Sequence, residues 1–106
     1  MDNELKEIAY MWREFNGEYY RIQTNSEYVI RKLTRRMKTK KVSICGRTIK
    51  GSKEHWVIFR VRYKKPSTAK QSLLRLTNCG NDFTDQNGTL KAVVVHKLAE
   101  NNGGEV

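Results

Sequence analysis

The side chains that could act on a ligand are cations and aromatic rings gathered in the middle of the chain. Arg31, Lys32, Arg35, Arg36 and Lys38 form one group, and Arg47, Trp56, Arg60, Arg62 and Lys64 form a second. Guanidinium and ammonium groups neutralise phosphates, and an indole offers a face on which a base can stack. These ten residues are the candidate contacts of a surface that binds anions and bases, with Tyr19 as a further stacking face. From Arg31 to Arg75 the chain carries sixteen Lys or Arg against Glu54 alone, within a total charge of +10, so the flanking segments are acidic. Such a block repels itself in the folded state and suits an anionic partner.

Catalytic groups are sparse by comparison. His55 and His96 have no partner at a fixed spacing, and there is neither a Gly-x-Ser-x-Gly elbow nor a glycine-rich phosphate loop. Asp82 and Asp85 form no recognisable metal set. Cys45 and Cys79 lack a Cys-x-x-Cys partner and read as small buried hydrophobes. No metal and no cofactor is expected.

The elements that must position the cations can be read from periodicity. From His55 to Lys65, alternate residues put His55, Val57, Phe59, Val61 and Tyr63 on one face, and Trp56, Ile58, Arg60, Arg62 and Lys64 on the other. This is the strongest strand signal in the chain, and Pro66 ends it. Val42 to Lys50 reads as a preceding strand, joined to it as a hairpin through Gly51-Ser52. Leu5, Ile8, Ala9, Trp12 and Phe15 recur at helical spacing, which predicts an amphipathic helix over residues 3–15 ended by Asn16-Gly17. Glu18 to Gln23 reads as a strand, with Tyr20 and Ile22 opposite Tyr19, Arg21 and Gln23.

Two capping-box spacings, Thr24 to Glu27 and Thr68 to Gln71, predict helix starts. The first helix has an apolar seam of Val29, Ile30, Leu33 and Met37 and a basic back. The second turns Ala69, Leu73 and Leu76 inward. After turn signals at Asn81-Asp82 and Asn87-Gly88, Leu90 to His96 reads as a last strand.

The expected fold is therefore α+β: an N-terminal helix followed by a ferredoxin-like βαββαβ order, an antiparallel sheet with two helices on one face. Residues 1–99 form a single basic domain and 100–106 a short frayed tail. In that layering the basic helix and the charged face of the strand at Val57 to Arg62 lie on opposite sides of the sheet. The acidic start of the chain is unlike a signal peptide, and no apolar run is long enough to span a membrane, so a cytoplasmic protein is expected.

Three resemblances bear on function. The element order is similar to that of RNA-recognition domains, which stack bases on aromatics of two central strands, although Lys53-Glu54-His55-Trp56-Val57-Ile58-Phe59 lacks their glycine. Tyr20 to Asn25, Val29 to Leu33, Trp56-Val57 with Arg60, and Lys65-Pro66-Ser67 resemble small phage-borne proteins, which implies a phage or mobile-element origin. Ile49 to Lys53 leading into Trp56 to Tyr63 looks like the strand pair of small basic ribonuclease toxins, which implies Arg60, Arg62, Lys64, Tyr63 and His55 as candidate catalytic groups. The charge and the rings point first to a sequence-nonspecific nucleic-acid-binding module. The alternatives are a module that binds a host protein as inhibitor or adaptor, and a toxin-like ribonuclease.

Overall fold

A computed structural model describes residues 6–15, 17–39, 41–48, 55–80 and 83–96. In chain order the elements are β1 (Ile8–Arg13), β2 (Tyr19–Thr24), α1 (Glu27–Arg36) running into a 3-10 turn (Met37–Thr39), β3 (Val42–Arg47), β4 (Val57–Arg62), α2 (Pro66–Thr77), β5 (Thr84–Gln86) and β6 (Thr89–Val93). The six strands form one sheet in the order β3-β4-β2-β1-β6-β5, and every neighbouring pair is antiparallel. Both helices pack on one face. Val29 and Leu33 of α1 and Ala69, Leu73 and Leu76 of α2 share a core with the inward residues of the strands.

The α+β class holds, but the N-terminal helix and the ferredoxin-like order do not. The segment expected to be helical is β1, paired with β2 on one side and β6 on the other. Its governing period is two: Ala9 and Met11 are buried, while Ile8, Tyr10 and Trp12 take the opposite face. The helical spacing was carried partly by Phe15, which is 96% exposed and sits at φ 48° in the turn to β2. There the Glu14 amide donates to the Tyr19 carbonyl and the Gly17 amide to the Glu14 carbonyl. Gly17 thus belongs to the turn of a hairpin rather than to a helix end, while Asn16 lies outside the described residues. With β1 beside β2, the last strand cannot reach β2, and the sheet widens to six strands.

The remaining elements differ mainly at their boundaries. The cap of α1 is Ser26, whose Oγ accepts from the Val29 amide at 3.3 Å. Thr24 instead ends β2 with its buried hydroxyl donating to the Ile8 carbonyl at 2.8 Å. α2 starts at Pro66, whose missing N–H costs nothing in the first turn, and ends at Asn78 in the left-handed region with φ 56°. The last strand is a hairpin, β5 and β6, turning on Asn87 (φ 54°) and Gly88 (φ 82°), the positive-φ pair that a two-residue loop requires. Cys79 is buried as expected, whereas Cys45 is exposed where the β3 register shifts between Ile44 and Gly46. Gly51-Ser52 and the tail 100–106 lie outside the described residues. No described helix is long and apolar enough to cross a membrane.

Leu90, Met11, Ile22, Phe59 and Ile44 are cross-strand neighbours in one row beneath the helices. The β1 register can be tested directly. Met11→Ala removes volume at a site only 2% exposed and should cost about 2–5 kcal/mol. Tyr10→Phe on the opposite face should change stability by less than about 0.5 kcal/mol. Urea denaturation followed by circular dichroism compares the two, and a helix over this segment, with Met11 off its apolar stripe, would leave Met11→Ala without that penalty.

Candidate nucleic-acid interface

The alternation that turns Val57, Phe59 and Val61 into the core turns Ile58, Arg60 and Arg62 outward, and the register extends this across the sheet. One outward row reads Lys91, Tyr10, Gln23, Ile58 and Gly46 from β6 to β3. The next reads Trp12, Arg21, Arg60 and Ser43. Beyond it Tyr19 lies opposite Arg62. Trp56, two residues before Ile58, stacks on Tyr10 with ring centroids 6.2 Å apart and planes 28° from parallel. Since both helices occupy the other side, none of the described helices covers this face.

Its centre is a carboxylate held by two arginines. Arg60 donates from Nε and Nη2 to Glu14 at 3.0 and 3.1 Å, and Arg21 donates from Nε at 2.8 Å. The Arg60 guanidinium also lies over the Tyr19 ring, 3.8 Å from its centroid, which suits a planar cation on a π face. The Glu14 side chain is only 17% exposed, while Arg21 and Arg60 are 43% and 40% exposed. The hydrogen bonds from Arg60, then Arg21, hold the Glu14 carboxyl below its ordinary value, and both guanidinium values are raised in return. A guanidinium has five N–H donors. Among the described residues Arg21 donates from Nε and Arg60 from Nε and Nη2, so the pair has donors left for a further anion at the solvent side.

The ten residues expected to make contacts fall into separate groups. Trp56, Arg60 and Arg62 share the open face, with Arg62 paired to Glu18 at 2.7 Å. Arg31, Lys32, Arg35, Arg36 and Lys38 lie across the sheet on α1 and its 3-10 extension, so the expected layering is observed. Two of them also serve packing: Lys32 lies over the Tyr28 ring and donates to the Arg75 carbonyl, and Arg36 donates to Ser72 at 3.4 Å. Arg47 pairs with Val57 and so falls on the helix side at the β3 edge, away from Arg60. Lys64 is exposed just past β4.

The groups implied by the ribonuclease resemblance do not converge. Tyr63 packs on the helix side with its hydroxyl 2.6 Å from Ser72, whereas Arg60 and Arg62 face the other way. His55 meets Glu27 at 3.3 Å near the start of α1, and His96 meets Glu7 at 2.8 Å. These histidines do have acidic partners, set by topology rather than by spacing along the chain.

Glu14, Tyr10 and Trp12 were missed as site residues because their segment was assigned a helical period. The alternation of Ile8, Tyr10 and Trp12 with Ala9 and Met11 was the available signal. Arg21 was placed on the right face but given no role. Comparison of the chain with protein-family models, curated proteins and solved structures finds no match.

The clamp carries a pH dependence whose sign is fixed. A carboxyl with a depressed folded value stabilises above its unfolded value, near 4.5, and that stability is lost as pH falls through the lower folded value. The difference in urea midpoint between wild type and Glu14→Gln should therefore be constant at neutral pH and shrink below about pH 4.5. A difference independent of pH would remove the clamp as its source.

Proposed function

We propose that the protein binds single-stranded nucleic acid with little sequence preference, using the open sheet face. The observation that carries this reading is the interleaving of rings and guanidiniums on one sheet face that neither described helix covers: Tyr10 with Trp56, Trp12 beside Arg21, and Tyr19 under Arg60. Every base has a π face, so stacking is tolerant of sequence, and phosphate contacts carry no sequence information. A broad, flat face suits splayed bases better than the closed stack of a duplex. The helical cations on the far side add to the attractive field without sharing the contact surface.

The same reading gives Glu14 a role. A carboxylate between two arginines occupies the kind of position a backbone phosphate would take, so an incoming strand competes with it. Glu14→Gln removes that competitor and frees charge on Arg21 and Arg60.

Fluorescence anisotropy with mixed-sequence oligonucleotides checks these points. Wild-type affinity for single strands should fall steeply between about 50 and 200 mM salt. Trp56→Ala should weaken binding by about 1–3 kcal/mol. Glu14→Gln should tighten it and steepen the salt slope, while Arg31→Gln with Arg35→Gln should have the smaller effect of a distant charge change. A flat salt response, or no binding at low salt, would overturn the reading. Partners recovered from a lysate that survive nuclease treatment would favour a protein-binding module instead.

A further inference from the structure

The open face does not account for a second polar site, on the helix side. Helical spacing along α2 gives it two stripes: Ala69, Leu73 and Leu76 face the core, and Thr68, Gln71, Ser72 and Arg75 form a polar flank directed toward the end of α1. Between that flank and Arg36 lies an open surface cleft of about 390 Å³, lined also by Tyr63 and by Ser67 at the start of α2. It is large enough for a small molecule.

Two features give the cleft its chemistry. None of its described lining residues is acidic, and two of them are the arginines Arg36 and Arg75. This contrasts with the open face, where Glu14 and Glu18 pair with the arginines. The hydroxyls are also arranged to donate. Burial pushes the Tyr63 phenol up, against the smaller opposing effects of Ser72 and Arg36, so it stays protonated. The Tyr63 and Ser72 hydroxyls lie 2.6 Å apart and Arg36 donates to Ser72 Oγ at 3.4 Å; whichever hydroxyl donates across that contact, the other keeps its proton for a further partner.

We propose that this cleft binds the phosphoryl group of a small phosphomonoester, with Arg36 and Arg75 as the charge partners and the Tyr63–Ser72 pair as the hydroxyl donor. Ser67, Thr68 and Gln71 supply polar groups for the hydroxyls of the attached molecule. Ser67 and Thr68, in the first turn of α2 where Lys65 provides no side-chain cap, line the cleft and can add amide donors. The proposal does not depend on nucleic-acid binding at the sheet.

Nitrogen-15 correlation spectra at constant ionic strength and about pH 7.5 test it, with inorganic phosphate, ribose 5-phosphate and ribose as probes. Phosphate should give saturable shifts at the Ser67, Thr68 and Ser72 amides. Ribose 5-phosphate should bind more tightly at the same residues, and ribose should give none. Arg36→Gln and Arg75→Gln, both exposed positions, should each weaken ribose 5-phosphate at least tenfold with the remaining spectrum intact. Absence of saturable shifts would overturn the site. So would binding of ribose alone, or shifts spread along α1 that persist unchanged in Arg75→Gln. A single-stranded oligonucleotide in the same experiment reports on the open face separately.

Discussion

The structure depends on how residues 6–8 are fastened in place, because that fixes β1 between β2 and β6. The Ile8 amide donates to Asn25 Oδ1, Asn25 Nδ2 donates to the Lys6 carbonyl, and the Ile8 carbonyl accepts from the Thr24 hydroxyl. Glu7 is held from three directions, by the Ser26 hydroxyl at 2.6 Å, by His96 at 2.8 Å, and through its carbonyl by the Val94 amide. Burial alone would raise the Glu7 carboxyl, but the Ser26 and His96 hydrogen bonds outweigh it and leave the carboxyl below its ordinary value. Ser26 also caps α1, so the same cluster sets the entry of the helix and the start of the first strand. Polar groups satisfied in this way, the buried Thr24 and Ser26 among them, specify one arrangement, since slipping β1 by one residue would strand several of them and reverse its faces.

Once β1 is fixed, the charge distribution follows from it. The basic block and the acidic N-terminal third looked like separate compositions along the chain, yet the fold brings part of the acid onto part of the base. Glu14 goes to Arg21 and Arg60, Glu18 to Arg62, and Glu27 to His55. The open face is thereby relieved of much of its self-repulsion, while the helix side keeps Arg31, Arg35, Arg36 and Arg75 without a carboxylate partner among the described ion pairs. Two basic surfaces of similar composition are therefore chemically different. One is organised around carboxylates and rings, the other around hydroxyls and unneutralised guanidiniums.

Much of the fold was legible wherever a single period dominated. The faces of β4, the inward stripe of α2, the antiparallel pairing of β3 with β4 and the turn at Asn87-Gly88 could all be read from residue order. Residues 8–15 were misread because both periods are present there. Ile8, Ala9, Trp12 and Phe15 fit a helix, Ala9 and Met11 fit a strand, and only the partner strands on both sides decide between them. The error was consequential because β1 carries Tyr10 and Trp12 and leads into Glu14. The capping assignment failed for a related reason: Thr24 and Ser26 are both good caps, and the Ile8 carbonyl, distant in sequence, takes the Thr24 hydroxyl. Arg47, grouped with Arg60 by its place along the chain, is separated from it because the register shifts between Ile44 and Gly46 and puts Arg47 opposite Val57.

The Glu14 clamp also bears on the strength of the proposed interaction. Exchanging one carboxylate for one phosphate at Arg21 and Arg60 nearly conserves charge, so the exchange itself supplies little net attraction. Arg62 faces the same exchange with Glu18. Net binding must then come from stacking on Tyr10, Trp56, Trp12 and Tyr19, and from counterions released by cations that are not internally paired. Stacking is insensitive to sequence, and counterion release is insensitive to it as well. Under the proposed function, a surface balanced in this way would bind reversibly and broadly, and would discriminate only between strands whose bases are free to stack and strands whose bases are already paired.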